Sequence, residues 1–495
     1  MDCGVCSALY TDSVVRDLYT VAMGLQHRGQ ESAGFALSMD GGGDFVATRY
    51  GPVKRVFSDF ADSVRSSSRS GIAHVRYSTT GGSNEANAQP LRIVNPRNGN
   101  VIVIGHNGNA INGQGLREQY AGEYDFQSTT DTEAMGYILS CEDDFASGAR
   151  RLFDEVEGSF NLVAFNQRGE VALIRDRDAY HPFVWSGYRE GQPSYAASEN
   201  IALAPLGVFG VKEVPPGSLF VFGKDGGLTT TSFGAGPGCR CPMEPLYFMR
   251  HGSDYHLPNG TVMLVDDLRR TWGRMLFEKY RDQLADVDVF SYVPESGRGY
   301  FMGLMGLGIS APLEDVFSRN KAVGRTYISP AGKGEQMSKV IGLDRIGMTG
   351  LKNSPIVSRI KGRRLALLDD TAIRGNATKA VAQVVFSAGA ESVHFLYAGS
   401  PFRYPCFYGM DHSRRRELVN RHREDVEDVG EANELFAREV AEEAGVDPSR
   451  VRVGFLGLSE MMKPLGGIQG NCHSCWTGEY PHMIPAYLQA NMKPE

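Results

Sequence analysis

No run in the 495 residues approaches the ~18 consecutive apolar positions of a membrane-spanning helix, so a helical membrane protein is excluded. The opening MDCGVCSALYTDS has neither the basic start nor the apolar run of a secretory signal, and the expected location is the cytoplasm. Positive charge is also in short supply. Lys and Arg total 51 against 58 for Asp and Glu, a formal net charge of -7, which argues against nucleic acid as a partner and requires any anionic ligand to be gripped locally. Internal repeats and low-complexity tracts are lacking. Cysteine is sparse, at eight residues, and in a reducing compartment these read as catalytic thiols, metal ligands or core residues rather than disulfides. What is present is ordinary: 42% hydrophobic, 22% charged and 10% aromatic residues exclude disordered, collagen-like and coiled-coil chains. At ~150 residues per domain the length suggests two large domains or three smaller ones.

To about residue 230 the chain is sheet-rich, with strand-like runs VIVIG (101–105), FNLVAF (160–165) and GSLFVFG (217–223) between Gly and Asn turns. Helices are expected at 13–26 and at about 130–154, the second capped by Thr130 or Thr132. A Gly-, Pro- and Cys-dense stretch at 231–242 marks the best boundary. Beyond it, helix 266–284, strand 287–293, strand 364–370, helix 376–388 and strand 392–398 alternate, as in a parallel sheet covered by helices. The charged stretch 414–443 reads as one or two solvated helices.

Cys3 stands next to the start, followed by Gly4, in a chain with no Ser-His-Asp or Cys-His motif spacing. Removal of residues 1 and 2 frees an α-amine, with a pKa near ~8, on the residue that carries the thiol, so nucleophile and base come from one residue. Four further segments follow in order: LQHRGQESAG (25–34), HVRYSTTGGSNEANAQP (74–90), GHNGN (105–109) and TTDTE (129–133). Together they resemble the signature of N-terminal-nucleophile glutamine amidotransferases, and in particular the glutaminase domain of the amidophosphoribosyltransferase family. The chemistry is consistent with this. Hydrolysis of a glutamine side-chain amide needs a thiolate, an oxyanion hole, and charged groups for the amino acid's carboxylate and ammonium. The resemblance implies Cys3 as nucleophile, Asn107 and Gly108 for the oxyanion, Arg76 on the α-carboxylate and Asp131 on the α-amine. Arg28, Tyr77 and Thr79 would support the pocket. His27, His74 and His106 read as structural, because this class needs no imidazole base, and Cys6 reads as core.

RLALLDDTAIRGNAT (364–378) sets two carboxylates at the end of an apolar strand, then a Gly-containing loop and a helix start, a layout suited to phosphate. MLVDDLRR (263–270) also has paired acids but no Gly after them, and reads as a helix start. The first segment resembles the motif of type I phosphoribosyltransferases, with VPESG (293–297) similar to their pyrophosphate loop and VGRTYISP (323–330) to the family's flexible loop. That implies phosphoribosyl pyrophosphate held by Asp369, Asp370, Thr371, Arg374, Gly375, Thr378, Ser296, Arg325 and Lys352, with Mg²⁺ at Asp369 and Asp370.

Cys241, Cys406, Cys472 and Cys475 supply a C-x-x-C pair and two distant thiols, a set that closes a site for zinc or an iron-sulfur cluster, and spacing alone does not choose. Some members of the resembled family carry a [4Fe-4S] cluster on cysteines in these three segments; the zinc alternative can instead recruit Cys239. The implied architecture is an α+β N-terminal-nucleophile domain (αββα sandwich, 1–235), an α/β type I phosphoribosyltransferase domain with a parallel sheet (236–470) and a tail (471–495) bringing cluster cysteines. A homo-oligomer, tetrameric by the resemblance, is expected. Departures from the family pattern are Asn376 and Ala377, where it has two hydroxyl residues, Ala179-Tyr180-His181-Pro182 in place of Gly-Ile-Arg-Pro, and Lys321-Ala322 in place of Arg-Tyr. These keep open two alternatives: a paralogue that aminates a different phosphorylated acceptor, and a non-catalytic regulatory homologue.

Overall fold

The computed structural model describes residues 3–60, 68–77, 84–320, 345–422 and 427–494. The chain divides into two compact units. The first holds Met1–Cys241 together with Phe407–Asp411 and Pro481–Ala486; the second holds the remainder from Pro242.

Two antiparallel sheets build the first unit. One runs Lys212–Glu213, Val184–Trp185, Ser194–Ala197, Gly4–Leu9, Ser70–Arg76, Ser32–Ser38 and Asp44–Tyr50 in spatial order; the other runs Leu228–Ser232, Ser218–Phe222, Val171–Arg175, Gly158–Asn166, Val101–Ala110 and Leu91–Val94. Alternation along the strands explains the layering, since successive side chains leave opposite faces. Val5 and Leu9 join Val103, Val163 and Phe165 in the apolar layer between the sheets. Cys6 and Ala8 face the other way, with Leu18, Val21 and Phe57 of helices Val14–Gly24 and Val53–Phe60. Ile102, Ile104 and Leu162 pack against Met135, Ile138 and Leu152 on the far side. The result is helix, sheet, sheet, helix.

Residues 130–154, expected as one helix, form two: Asp131–Ser140 and Phe145–Glu155. The break occurs because Asp144 caps a new start, accepting from the N–H groups of Ala146 and Ser147. Thr130 stands at the first N-cap without a side-chain cap bond. Cys141, expected within that helix, sits at its C-cap, partly exposed.

The second unit centres on four parallel strands in spatial order Val289–Tyr292, Arg364–Asp369, Ser392–Tyr397 and Val451–Phe455. Helices Asn376–Ser387 and Gly430–Ala444 bury Val381, Val385, Phe436 and Val440 against Leu367, Phe395 and Val453. Val265-Asp266-Asp267 begins helix Val265–Tyr280, the helix start read from sequence. Within 414–443 the described elements are a 3-10 turn, Arg415–Glu417, and all but the last residue of Gly430–Ala444, which is not solvated all round as expected but buries Phe436 and Val440 on one side. Among the described residues, no helix is long and apolar enough to cross a membrane.

Candidate functional site

In the first unit Cys3 opens the central strand and is buried, with its Sγ 3.5 Å from both N and O of Tyr77. A small pocket is lined by Cys3, Arg76, Tyr77, Gly108 and Asp131, together with Gln89, His106, Thr130 and Thr132. Pairing of Gly4 with Val75 brings the ends of two strands together and sets Cys3 beside Arg76. Gly108 has φ +147°, and a Cβ there would stand 2.1 Å from the Ser159 carbonyl oxygen, so only glycine fits. Asn107, on the preceding residue, is fully buried, and both polar atoms of its side-chain amide are without a hydrogen-bond partner. A buried amide left unpaired is costly, a pattern found where a ligand completes the bonding.

Asp131 begins its helix and accepts from the N–H of Ala110 at 2.7 Å and of Thr132 at 2.9 Å. Burial pushes its carboxyl up, but His106, 3.7 Å away, and these two N–H donors outweigh burial and hold it below the usual value. Arg76 donates to Glu31 at 2.8 Å. Arg28 turns to the backbone of the nucleophile, donating to the Cys3 carbonyl at 3.0 Å and to Glu199 at 2.7 Å. His27 meets the same Glu199 oxygen at 2.7 Å. Burial pushes His74 down to about 3 and Cys6 up to about 12, in keeping with packing roles for both. Glu31 and Glu199 are site residues that sequence reasoning did not single out. Thr79 lies outside the described residues.

The segment Phe407–Asp411 belongs to this unit too. Tyr77 Oη donates to Asp411 at 3.1 Å, Asn109 to the Phe407 carbonyl at 2.8 Å, and Ser159 to the Tyr408 carbonyl at 2.8 Å. Of the departing Ala179–Pro182 segment, Tyr180 stacks on Tyr408 with centroids 4.6 Å apart, and His181 Nε2 lies 2.9 Å from the Tyr408 carbonyl oxygen.

In the second unit Asp369 and Asp370 end the second parallel strand, both buried. Ser296 donates to Asp369 at 2.6 Å and Thr371 to Asp370 at 2.7 Å. Burial raises both carboxyls, and the Asp370 charge adds to the rise at Asp369. Gly297 brings the 293–297 loop against the strand, since a Cβ there would lie 2.1 Å from the Leu368 carbonyl oxygen. Gly375 takes the left-handed conformation at φ +70° before the helix. The remaining loop residues diverge. Arg374 donates to Glu417 at 2.8 Å, and Thr378 is buried with its hydroxyl 2.6 Å from that of Tyr397. Lys352 ends helix Arg345–Lys352. Arg325 and the rest of 323–330, with Lys321 and Ala322, lie outside the described residues.

Cys406, His412 and Cys475 are gathered in the same unit, buried, with their ligand atoms within 4.8 Å of one another. Cys472 is buried close by in sequence, its Sγ 3.7 Å from Ser474 Oγ. Cys239 and Cys241 are buried at the end of the first unit, with their N–H groups on the Asp178 and Tyr180 carbonyls. His412 was not foreseen from spacing, because it belongs to no Cys-His motif.

A family model described as a glutamine amidotransferase domain matches residues 58–216. The amidophosphoribosyltransferase of Methanothermobacter thermautotrophicus is 30% identical over 98% of this chain and 95% of its own. That of Pyrococcus horikoshii is 32% identical over 84% of this chain and 86% of its own. Among solved structures, the Bacillus subtilis glutamine phosphoribosylpyrophosphate amidotransferase complexed with ADP and GMP superposes with a TM-score of 0.79 at 26% identity, covering 99% of each chain.

Proposed function

Because the chain belongs to the amidophosphoribosyltransferase family, we propose that it converts phosphoribosyl pyrophosphate, glutamine and water to 5-phosphoribosylamine, glutamate and pyrophosphate, the first step of purine biosynthesis. The observation that carries this reading is the pocket of Cys3, Arg76, Gly108 and Asp131 beside the unpaired Asn107 amide.

With Met1 and Asp2 removed, the Cys3 α-amine takes the thiol proton and Sγ attacks the glutamine side-chain carbonyl carbon. The Asn107 amide and the Gly108 N–H stabilise the oxyanion. Collapse expels ammonia with the proton returned by the α-ammonium, and water hydrolyses the resulting thioester to glutamate. Arg76 grips the α-carboxylate and Asp131 the α-ammonium, while Arg28 fixes the Cys3 backbone. In the second unit ammonia attacks the anomeric carbon and pyrophosphate leaves. Asp369 and Asp370 accept from ribose hydroxyls, a role suited to carboxylates that already accept from the hydroxyls of Ser296 and Thr371. Gly375 and the helix start hold the 5'-phosphate. Ser296, Thr371, Arg374, Thr378, Lys352 and Arg325 are the further contacts proposed from the resemblance. Two adjacent buried acids, whose carboxyls burial raises, also suit Mg²⁺, which, when bound, neutralises the leaving pyrophosphate.

Buried sulfur donors at Cys406 and Cys475 suit a soft metal centre, and we assign a [4Fe-4S] cluster to Cys406, Cys472 and Cys475 with Cys241 as the fourth ligand. An imidazole among the gathered donors favours a second reading, a single zinc ion. Cytoplasmic location and a homotetramer complete the proposal. Asn376 and Ala377 at the start of the phosphate helix favour a second reading of the acceptor, a different phosphorylated compound. A coupled assay with glutamine, phosphoribosyl pyrophosphate and Mg²⁺ decides, with glutamate and pyrophosphate expected to appear together. Glutamate alone, with no turnover of phosphoribosyl pyrophosphate, would sink the primary reading.

A further inference from the structure

Two features hold His412 in place. Cys406 N–H donates to the His412 carbonyl at 2.9 Å, so the chain returns to the first thiol after five residues. The buried imidazole then meets the Phe402 ring edge to face, with centroids 5.0 Å apart and planes at 66°. In that setting Nε2 lies 3.2 Å from Cys475 Sγ, while Nδ1 is buried without a hydrogen-bond partner. A neutral imidazole carries one N–H. Of the two nitrogens only Nε2 has a partner, and that partner is a sulfur that, as a thiolate, has no proton of its own to give.

We propose that His412 is a positioning residue of the metal centre: its Nε2–H donates to the Cys475 thiolate, raising the cluster's reduction potential and slowing its loss in air. The inference rests on the iron-sulfur reading above. Hydrogen bonds to the sulfurs are among the factors that set cluster potentials, because they stabilise the more negative reduced state. They also fix a ligand's orientation, as outer partners do at other metal sites. The same bond withdraws electron density from the sulfur that an oxidant attacks.

The test uses anaerobically purified full-length protein as wild type, His412→Leu and His412→Gln. Iron and sulfide contents are expected to match in all three. The midpoint potential of His412→Leu should shift negative and its visible absorbance should bleach in air several-fold faster, with His412→Gln, whose amide can donate, between the two. An unchanged midpoint and bleaching rate in His412→Leu overturns the inference while leaving the cluster reading intact. Loss of iron from both variants also overturns it, making His412 a ligand. Wild-type protein that holds zinc and no sulfide sinks the cluster reading and the inference with it. Should His412→Leu not fold, pulsed EPR of reduced wild type labelled with ¹⁵N-histidine reads the same contact. A weak nitrogen coupling supports donation, and either a ligand-strength coupling or none overturns it.

Discussion

The Cys3 pocket and the carboxylate loop spend charge in opposite ways. Around Cys3 every buried cation already has an acid: Arg28 with Glu199, Arg76 with Glu31. Around Asp369 and Asp370 two acids are buried together, with hydroxyls as near donors and one buried guanidinium, Arg269, whose charge favours ionised Asp370. The first arrangement is set before substrate arrives, which suits a neutral amide that brings only a zwitterionic end to be recognised. The second is left electrostatically incomplete, which suits a substrate that arrives with hydroxyl donors and a cation. Preorganisation and ligand completion thus coexist in one chain, each matched to the charge of what it binds.

The largest effect expected is at the nucleophile. Cys3→Ala should reduce glutamine-dependent turnover by ~10³-fold or more while leaving ammonia-dependent synthesis, the outcome expected if the proposed mechanism gives the second unit free ammonia as its nucleophile. Equal loss with both nitrogen sources, measured in parallel assays, would remove Cys3 from the mechanism.

Pair strength separates the two regions next. Glu199→Ala removes the acid from a buried guanidinium and should cost ~3–5 kcal/mol, whereas Glu417→Ala, at the partly exposed pair with Arg374, should cost ~0–1 kcal/mol. Chemical denaturation of the two variants compares them directly, and similar losses would erase the contrast. Asn107→Ala should slow glutamine hydrolysis ~10²–10³-fold with little change in stability, because the amide makes no bond in the folded protein. A fall in melting temperature with kcat unchanged would make it a packing residue.

The acid pair gives a pH signature. Folding raises both carboxyl pKa values, so the folded protein binds these protons more tightly than the unfolded chain does. The stability this contributes is fully present below the ordinary carboxylate pKa and is lost as pH rises through the raised values. Asp370→Asn should flatten that decline in ligand-free protein. A pH profile of stability parallel to wild type would mean that folding does not raise the Asp370 carboxyl. The smallest effect is at the phosphate helix. Asn376→Thr with Ala377→Thr should lower the KM for phosphoribosyl pyrophosphate several-fold, as one or two hydrogen bonds of ~0.5–1.5 kcal/mol allow.

Motif residues were legible because the chemistry restricts their type: a thiol beside a terminus, a glycine where a Cβ would meet the Ser159 carbonyl, two acids at a strand end. The layers of the first unit were legible in the alternation of runs such as VIVIG. Glu31 and Glu199 were not, because an acid that neutralises a buried arginine is chosen by where the chain folds; Glu199 is 171 residues from its partner. The helix break at Cys141–Asp144 had a local cue, an acid before Phe145, that the length of the apolar pattern concealed. The inward turn of Thr378 depends on Tyr397, on the neighbouring strand, and has no local signal at all.

Residues 407–411 bear on how such a gene can be cut and rejoined. They lie far downstream of Cys241 yet supply the carbonyls that Asn109, Ser159 and His181 use, and the acid that Tyr77 meets. A fragment ending at Cys241 therefore carries all the glutaminase motifs but leaves these donors without their acceptors. Recombination that exchanges the downstream half must bring a compatible Phe-Tyr-Gly-Met-Asp segment with it. The upstream motifs and the 407–411 segment are thus parts of one folded unit that the chain writes far apart.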